Sequence, residues 1–275
     1  MDVVLQTPLR EVNYKIDLDP DEPSQRWMLD HLQRGICYEP EEVQVMLRAI
    51  QPGDFVVDIG AHVGFFTCLF ASLVGPTGTV LAFEPEAGNF YRLQTNIARN
   101  GFTNVVVRNE VLWSKPEDVT FWFNSDTAGG HCVWDPGTWL HGGKSKANPR
   151  PSTRRATTLD NELVGLERVK LIKIDTEGAD QRILQGAVRT LNWFKPYVIT
   201  ELNPFGSQSL GCSNESFREY MRDFGYDIFL LHSEGKLPSL VPQESEIVHT
   251  NGTVVMNAMF STLKDVAKLW PTVPV

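Results

Sequence analysis

The stretch VVDIGAHVG, residues 56–64, decides the fold of this chain. It follows a Pro-Gly-Asp break at residues 52–54 and begins as a short apolar, β-branched run, which is typical of a strand buried on both faces. The run ends near Asp58, and Gly60 and Gly64 then span a turn into a helical pattern over residues 64–74. The pattern D-x-G-x-x-x-G therefore predicts a strand, a tight turn and a helix.

The same alternation of strand and helix continues outward from this stretch. Further strands are predicted at residues 79–83, 104–108, 169–174 and 197–201, and helices at residues 89–100 and 179–191. Residues 226–231 and 253–260 predict two last strands without a convincing helix between them, which favours an antiparallel pair. The sequence thus predicts a Rossmann-like α/β fold, with a mostly parallel sheet and helices on both faces.

Two segments lie outside this alternation. Residues 1–52 predict an N-terminal helical cap with helices at 24–34 and 39–50, and residues 53–275 form the predicted ligand-binding domain. An insertion at about residues 118–156 contains a Gly-, Trp- and Pro-rich part, residues 126–151, with His131, Trp134 and Trp139. Because so long a connection inside a compact domain is usually functional or disordered, we expect this part to recognise the acceptor.

Composition narrows the classes of partner. The 275 residues carry a formal net charge of −9, which argues against nucleic acid because phosphate binding needs a basic face. The basic residues between Lys144 and Arg155 are interpreted as a solvated loop, or alternatively as a surface for an acidic acceptor. Four widely spaced cysteines suit reduced thiols, and no window predicts a membrane span or a signal peptide. We expect a cytoplasmic protein, and its oligomeric state stays open.

The first turn predicts the chemistry of the ligand. Dinucleotide sites need G-x-G-x-x-G, but His62 occupies the position of the second glycine. S-adenosylmethionine has no phosphate and carries an ammonium, a sulfonium and a ribose diol. Asp58 can hold the ammonium directly or through water, Gly60 leaves room for the ligand, and Glu84 can accept both ribose hydroxyls. Alternatively, Asp58 caps the following helix and Glu84 sits at an exposed strand end.

The octet KIDTEGAD, residues 173–180, is the most specific part of a family resemblance, and it is supported by Phe83-Glu84-Pro85, by Asn109 before Val111-Leu112, and by Thr158-Leu159-Asp160. Over roughly residues 39–260 the chain resembles the FkbM family of methyltransferases. The resemblance implies a class I methyltransferase fold of seven strands with the last one antiparallel. The implied donor contacts are Asp58, Gly60, Ala61, His62, Gly64, Glu84, Pro85 and Asn109, with Asp175 facing the methionine moiety or the acceptor. His62 stands where the family commonly has Asn, and Thr176 where an aliphatic residue is more usual.

Three residues are candidates for catalysis: Asp175, Glu201 and His131. Asp175 and Glu177 should point to opposite sides if their strand persists, and Glu177 could instead stabilise the first turn of the next helix. Glu201 could bind the acceptor, act as a base or simply contact solvent. His131 is a candidate acceptor-side base because an unperturbed imidazole titrates near neutral pH. No metal-ligand spacing is present, so we expect a metal-independent reaction that rests mainly on alignment.

The function that these features favour is S-adenosylmethionine-dependent methylation. The family resemblance suggests O-methylation of a hydroxyl on a small molecule, sugar, lipid or polyketide-like natural product. N-methylation of a peptide side chain, such as an asparagine amide, is an alternative acceptor chemistry. An NAD-dependent oxidoreductase is a further alternative, which the missing G-x-G disfavours. A non-catalytic binding module would have no use for the segment around Asp175.

Overall fold

The N-terminal segment combines a β-hairpin with two helices. The computed structural model describes residues 11–124, 126–136, 149–232, 236–247 and 255–271, and the backbone of residues 2–6. Strands β1 (Asp2–Gln6) and β2 (Glu11–Lys15) pair antiparallel, and helices α1 (Pro23–Gln33) and α2 (Pro40–Ala49) follow. Both helices begin at a proline, which is tolerated there because the first helical N–H needs no intrahelical partner. The two helices confirm the prediction, whereas the hairpin was not predicted. Its Val12 and Tyr14 are buried, and β2 contacts the helix formed by Phe65–Val74.

The next unit contains the strand, turn and helix predicted around residues 56–74, and it confirms them. It consists of β3 (Phe55–Ile59), α3 (Phe65–Val74), β4 (Thr79–Phe83), α4 (Ala87–Arg99) and β5 (Val105–Arg108). The three strands pair in parallel, β3 with β4 and β4 with β5. Their alternation places Val56 and Val80 in one core cluster and Val57 and Leu81 in a second cluster on the other face of the sheet.

The insertion is largely a small β-sheet where the structure describes it. Strands β6 (Val111–Leu112), β7 (Asp118–Phe123) and β8 (Arg150–Thr157) form three adjacent strands, with β7 antiparallel to β8, and α5 (Leu159–Glu162) follows. The insertion is therefore a β-hairpin at its base rather than one long loop. Trp139, Lys144 and Lys146 lie outside the described residues.

The remaining elements complete the main sheet. They are β9 (Leu171–Ile174), α6 (Asp180–Leu184), α7 (Val188–Trp193), β10 (Tyr197–Leu202), α8 (Pro204–Ser209), α9 (Asn214–Asp223), β11 (Asp227–Leu230), β12 (Ser239–Leu240), β13 (Met256–Ser261) and α10 (Leu263–Leu269). The single helix predicted over residues 179–191 is wrong, because Gly186 separates α6 from α7. A Cβ at Gly186 would lie 2.3 Å from the Trp113 carbonyl oxygen, so the chain breaks the helix at a close backbone approach.

The strand order confirms the class I methyltransferase fold. In the described part of the chain the main sheet runs β12-β11-β13-β10-β9-β3-β4-β5, with β13 antiparallel to both β10 and β11. The sheet has eight strands instead of the seven expected, because the two-residue β12 extends the edge beside β11. None of the described helices combines the length and hydrophobicity that crossing a bilayer requires. The carboxyl ends of β3, β4, β9 and β10 meet at one edge of the sheet, where open α/β sheets bind ligands.

Candidate active site

Two cavities lie along this edge of the sheet. The small cavity, about 70 Å³, lies between the ends of β3 and β4 and the insertion, and its walls include Glu84, Pro85, Val111 and His131. The large cavity, about 520 Å³, lies beside the N-terminal helices and the ends of β9 and β10, and its walls include Tyr38, Glu42, Trp134 and Glu201. Five residues line both cavities: Gly60, His62, Gly129, Asp175 and Glu177. We call these five the shared wall; ligands in the two cavities would meet there.

The turn after β3 explains its glycines. Gly60 has φ +81°, and a Cβ there would lie 1.9 Å from the carbonyl oxygen of Asp175. Its missing side chain therefore admits the chain's own backbone after β9, which corrects the expectation that the space serves the ligand. Gly64, with φ +94°, packs against Leu93 of α4 behind the cavities, whereas Ala61 lines the large cavity.

Asp58 is buried beneath this turn. Its side chain accepts a hydrogen bond from Thr67 Oγ1 at 2.5 Å, and the residue is 1% exposed. Burial raises its pKa to about 6, although Lys173 and Thr67 act in the opposite direction. Asp58 is not among the described residues that line either cavity, so its predicted contact with a donor ammonium would have to pass through another group. The helix-cap alternative is wrong, because Gly64 is the N-cap residue of α3 and no side chain caps the helix.

Glu84 lines the small cavity at the end of β4. Its carboxylate accepts backbone hydrogen bonds from His62 at 2.9 Å and from Glu86 at 2.8 Å. The residue is 4% exposed, so the alternative of an exposed strand end is wrong. Burial raises the pKa of Glu84 to about 8. The carboxylate thus faces the cavity from a position held by two backbone N–H groups.

Pro85 and Asn109 complete this corner. Pro85 lines the small cavity beside Glu84, and Asn109 Nδ2 donates to the carbonyl oxygens of Glu84 at 2.8 Å and Pro85 at 3.0 Å. Asn109 itself lines a separate surface pocket, while Glu110 and Val111 line the small cavity. Asn109 therefore holds the backbone of Glu84 and Pro85 in place, while its neighbours Glu110 and Val111 line the small cavity.

Residues of the insertion line both cavities. Ala128, His131, Cys132 and Val133 line the small cavity, and Thr127, Gly130, Trp134 and Pro136 line the large one. His131 Nδ1 accepts a hydrogen bond from the Asn124 backbone at 2.9 Å, and burial lowers its pKa. The structure thus places His131, the predicted acceptor-side base, with the predicted donor residues and apart from Glu201.

Long-range hydrogen bonds hold the insertion over the site. Glu22, the N-cap of α1, accepts from the Ala128 backbone at 2.7 Å and from Thr127 Oγ1 at 3.2 Å. Trp134 Nε1 donates to the Glu177 carbonyl oxygen at 2.7 Å. Burial raises the pKa of Glu22, but hydrogen bonds from Ser24, Ala128 and Gln25 outweigh it and bring the pKa to about 2. An ionised Glu22 therefore joins the N-terminal segment to the insertion.

Asp175 and Glu177 lie on the same side. Strand β9 ends at Ile174, so the alternation that would separate them does not reach Glu177, and both belong to the shared wall. Glu177 has φ +57°, precedes α6 and accepts a hydrogen bond from Asn203 Nδ2 at 3.0 Å. Burial, Asp175 and Asp180 raise its pKa to about 8. The described hydrogen bond of the Glu177 carboxylate comes from Asn203 and not from α6, whose first turn contains Asp180.

A buried charge network beside Asp175 was not predicted. Lys173 is 2% exposed inside β9, and its ammonium lies 3.1 Å from Asp175 and 3.6 Å from Glu42 of α2. Burial raises the pKa of Glu42 to about 8 despite Lys173, and Glu42 Oε2 has no hydrogen-bond partner. The one local signal was a lysine within an apolar strand, because a fully buried lysine is nearly always paired.

Glu201 lies at the end of β10 opposite Asn257 of β13, and it lines the large cavity with Asp175. Burial, with Asp175 and Glu177 nearby, raises its pKa well above the ordinary value. The structure therefore brings together two of the three predicted catalytic residues. Among the described residues, no group of three or more His, Cys, Asp and Glu side chains could hold a metal ion.

The sequence of this chain is similar to those of known methyltransferases. The model of the Methyltransferase FkbM domain matches residues 58–228, more than half of the chain. "Methyltransferase 1" of Beauveria bassiana is 26% identical over 152 residues, which are 48% of this chain and 57% of that protein. The 31-O-demethyl-FK506 methyltransferase FkbM of Streptomyces tacrolimicus is 47% identical over 51 residues, 18% of this chain and 19% of that protein. The chain thus matches less than two thirds of the length of either relative.

Solved structures are similar at low identity. Methyltransferase FkbM from Methylobacillus flagellatus KT matches with a TM-score of 0.45 and 15% identity, over 85% of this chain and 60% of that chain. A SAM-dependent O-methyltransferase from Thermotoga maritima matches with a TM-score of 0.44 and 11% identity, over 94% of this chain and 77% of that chain. These similarities assign no substrate to this chain.

Proposed function

Because this chain belongs to the FkbM family of methyltransferases, we propose that it transfers a methyl group from S-adenosylmethionine to a hydroxyl of a small molecule. The observation that carries the proposal is the shared wall between two chemically different cavities. A two-substrate reaction needs its reacting atoms held together in one geometry, and adjoining cavities provide this.

The residues that line the small cavity suit the donor chemically. Ile59, Phe83, Leu112 and Ile183 give it apolar walls that suit a flat base. The Glu84 carboxylate, held by two backbone N–H groups, has lone pairs left for the hydroxyls of a ribose. His62 Nε2, a buried atom with no hydrogen-bond partner, lies on the shared wall and could meet a polar group of a bound ligand. When bound, the donor would supply the methyl group on its sulfonium.

The size of the small cavity adds a condition. At about 70 Å³ it is smaller than the several hundred Å³ of usual small-molecule sites. Residues 128–133 of the insertion form one of its walls, so we propose that this segment shifts outward when the donor enters. The insertion would then serve both ligands, and its assignment to the acceptor alone stays a prediction.

The large cavity would hold the acceptor. Its volume of about 520 Å³ lies within the usual range for small-molecule sites. A hydroxyl nucleophile must lose its proton, and two carboxyl groups, Asp175 and Glu177, border both cavities. Asp175 is the better placed of the two, because its side chain is 39% exposed, whereas Glu177 already accepts a hydrogen bond from Asn203. In the proposed reaction the acceptor oxygen bonds to the methyl carbon as the carbon–sulfur bond breaks, and the proton passes to Asp175.

Glu201 is the second candidate for this proton. It lines only the large cavity, at the end of β10, where the acceptor would bind. A general base must lie within hydrogen-bonding reach of the proton that it removes, and a carboxyl group in this cavity meets that condition. His131 is less suited to the same role, because its Nδ1 already accepts a backbone hydrogen bond on the donor side.

Ligand binding tests the first half of the proposal. S-adenosylhomocysteine, at about a hundredfold over its dissociation constant, should add about 2.7 kcal/mol to the free energy of unfolding. The melting temperature should therefore rise by several degrees, as measured by calorimetry. NAD at the same concentration is the control and should give no shift. A shift with NAD and none with the sulfur ligand would contradict the proposal.

Transfer tests the second half. The protein should label a small molecule from an extract of its own cells when given methyl-labelled S-adenosylmethionine, and mass spectrometry should locate the label on oxygen. Asp175→Asn should slow transfer by about a hundredfold or more even at saturating S-adenosylmethionine, a loss larger than any loss of affinity for S-adenosylhomocysteine. A chelator should leave transfer unchanged. A label on nitrogen of a peptide, or transfer that survives Asp175→Asn, would contradict the proposed acceptor or base.

A further inference from the structure

The large cavity is rich in carboxyl groups. Among its described lining residues are one lysine, Lys173, and five acids: Glu39, Glu42, Asp175, Glu177 and Glu201. Asp175 and Glu177 belong to the shared wall, so a donor with its own positive charges would lie against them. Glu39, Glu42 and Glu201 line only the large cavity, and a donor in the small cavity leaves them facing the acceptor.

One of these acids, Glu42, has a carboxylate oxygen that accepts no hydrogen bond. The residue is 2% exposed, yet its Oε2 atom accepts no hydrogen bond. The same oxygen lies 3.6 Å from the Lys173 ammonium, an ion pair beyond hydrogen-bonding distance, and that ammonium lies closer to Asp175, at 3.1 Å. Because a buried oxygen that accepts no hydrogen bond costs free energy, this position favours a ligand that can donate to it or add a second positive charge.

Aromatic rings form a second wall of the same cavity. Trp27 and Tyr38 have ring centroids 5.4 Å apart, and Tyr38 lies 5.1 Å from Phe65 and 6.0 Å from Phe66. The Lys173 ammonium already lies 4.5 Å from the Phe66 ring centroid. Cations are attracted to aromatic faces, and combined aromatic and acidic walls are typical of sites for alkylated ammonium groups.

We propose that the large cavity selects an acceptor that carries a positively charged nitrogen group. The cation lies on the side of Glu39, Glu42 and Glu201 and against the Tyr38 ring, while the hydroxyl to be methylated lies at the shared wall. The placement of the hydroxyl rests on the proposed function, but the preference for a cation concerns binding alone. Acceptors that carry a carboxylate or a phosphate at this end are excluded by the same acids.

Proton release is a consequence of this arrangement. Burial raises the pKa of Glu42 to about 8 and also raises the pKa of Glu39 and Glu201. The charged groups that face these three acids come from several elements: Glu41 of α2, Lys173 of β9, Asp175 and Glu177 after β9, and Asp180 of α6. A bound cation favours the ionised carboxyls. Cation affinity should therefore rise as the pH increases from 6 to 8.

A matched pair of probes tests the proposal. Choline and 3,3-dimethylbutan-1-ol have the same shape and the same hydroxyl, but only choline carries a charge, which is independent of pH. We expect choline to bind at least about tenfold more tightly at pH 8, as measured by calorimetric titration with and without S-adenosylhomocysteine. The affinity of choline should fall between pH 8 and pH 6, and that of the neutral alcohol should not.

Variants of two elements locate the cation. Glu42→Gln should weaken choline binding about fivefold or more and leave the neutral alcohol unchanged. Glu201→Gln, on strand β10 rather than helix α2, should also weaken choline binding. If Glu42→Gln fails to fold, this variant tests the position of the cation. Asp30→Asn is the control, because Asp30 is an exposed acid of the neighbouring helix α1 and does not belong to the described cavity lining; it should change choline affinity less than twofold.

Several outcomes would overturn the proposal. They are equal or tighter binding of the neutral alcohol, no detectable binding of either probe, and a choline preference that survives both Glu42→Gln and Glu201→Gln. A loss of S-adenosylhomocysteine binding in these variants without a change in choline binding would assign the acids to the donor, and also overturns it. If the wild-type protein fails to bind S-adenosylhomocysteine, the proposed function fails, whereas the choline comparison still decides this inference.

Discussion

The small and large cavities differ in how their polar groups are held. In the small cavity the Glu84 carboxylate and the His131 ring each accept hydrogen bonds from backbone N–H groups. In the large cavity the Lys173 ammonium lies 3.1 Å from Asp175 and 3.6 Å from Glu42, and one oxygen of Glu42 has no hydrogen-bond partner. Backbone donors keep their positions without a ligand, whereas a network of side-chain charges responds to one. The polar groups of the small cavity are therefore positioned by the local chain, and those of the large cavity by long-range electrostatics.

The largest expected effect on stability comes from adding a side chain at Gly60, in the wall that both cavities share. Gly60→Ala places a Cβ 1.9 Å from a backbone oxygen at φ +81°, so we expect a loss of about 3 kcal/mol or more in the free energy of unfolding. Gly165→Ala is the matched control, because Gly165 has φ +84° with open space around it, and it should cost only about 1–2 kcal/mol. Denaturant unfolding measures both; equal costs would mean that the shared wall tolerates a side chain.

The second effect is the dependence of stability on pH. Burial raises the pKa of Glu84 in the small cavity and of Glu42 in the large one to about 8, so the folded state keeps protons that the unfolded chain releases above about pH 4.5. The free energy of unfolding should therefore fall as pH rises from 5 to 8, by about 1.4 kcal/mol per pH unit for each extra proton held.

His62 adds the opposite trend at acid pH, because burial lowers its pKa to about 4 and its contribution is lost as pH falls below about 6.5. Thermal melts across this pH range check both trends. Glu84→Gln and Glu42→Gln should each reduce the slope above pH 5. Stability that rises from pH 5 to pH 8 would contradict the protonated state of the buried acids.

The third test separates the cavities by ligand. Glu84→Ala should weaken S-adenosylhomocysteine binding about tenfold, since it removes two hydrogen bonds to the ribose that contribute about 0.5–1.5 kcal/mol each. It should also lower the melting temperature, because the His62 and Glu86 backbone groups lose their acceptor. Glu201→Gln, which changes only the large cavity, should leave this affinity within about threefold by calorimetric titration. The reverse pattern would exchange the roles of the two cavities.

The smallest effect is expected at the residue that departs from the family. His62→Asn should change the free energy of unfolding by less than about 0.5 kcal/mol, because asparagine readily adopts a φ near +50° and the backbone N–H still donates to Glu84. His62→Val is the control and should cost more than about 1 kcal/mol, since a β-branched residue is strained there. Similar costs for both variants would mean that the imidazole itself supports the turn.

The donor side was largely predictable from sequence. Strand β4 was predicted with its observed limits, and Glu84 was predicted at its end from an acid placed after a buried strand. Asp58 was recognised as important, but its contact with Thr67 could not be foreseen, since the strand pattern does not show which side chain an acid faces after the turn.

The acceptor side was less predictable because its parts are distant in the chain. Glu42 and Lys173 are more than one hundred residues apart, and neither belongs to a local pattern that implies the other. The N-terminal hairpin was missed because its buried Val12 and Tyr14 alternate over only a few residues. The break at Gly186 depends on the backbone of Trp113, which only the folded chain brings near.

The hydrogen bonds between Glu22 and residues 127–128 have a kinetic consequence. The insertion walls both cavities and is tied to α1, so one movement would admit the donor, admit the acceptor and release both products. We expect a ternary complex in steady-state kinetics and a turnover number limited by this opening, which added viscogen should slow. Glu22→Gln should reduce that viscosity dependence, and a turnover number insensitive to viscogen in the wild-type protein would place the slow step in the chemistry.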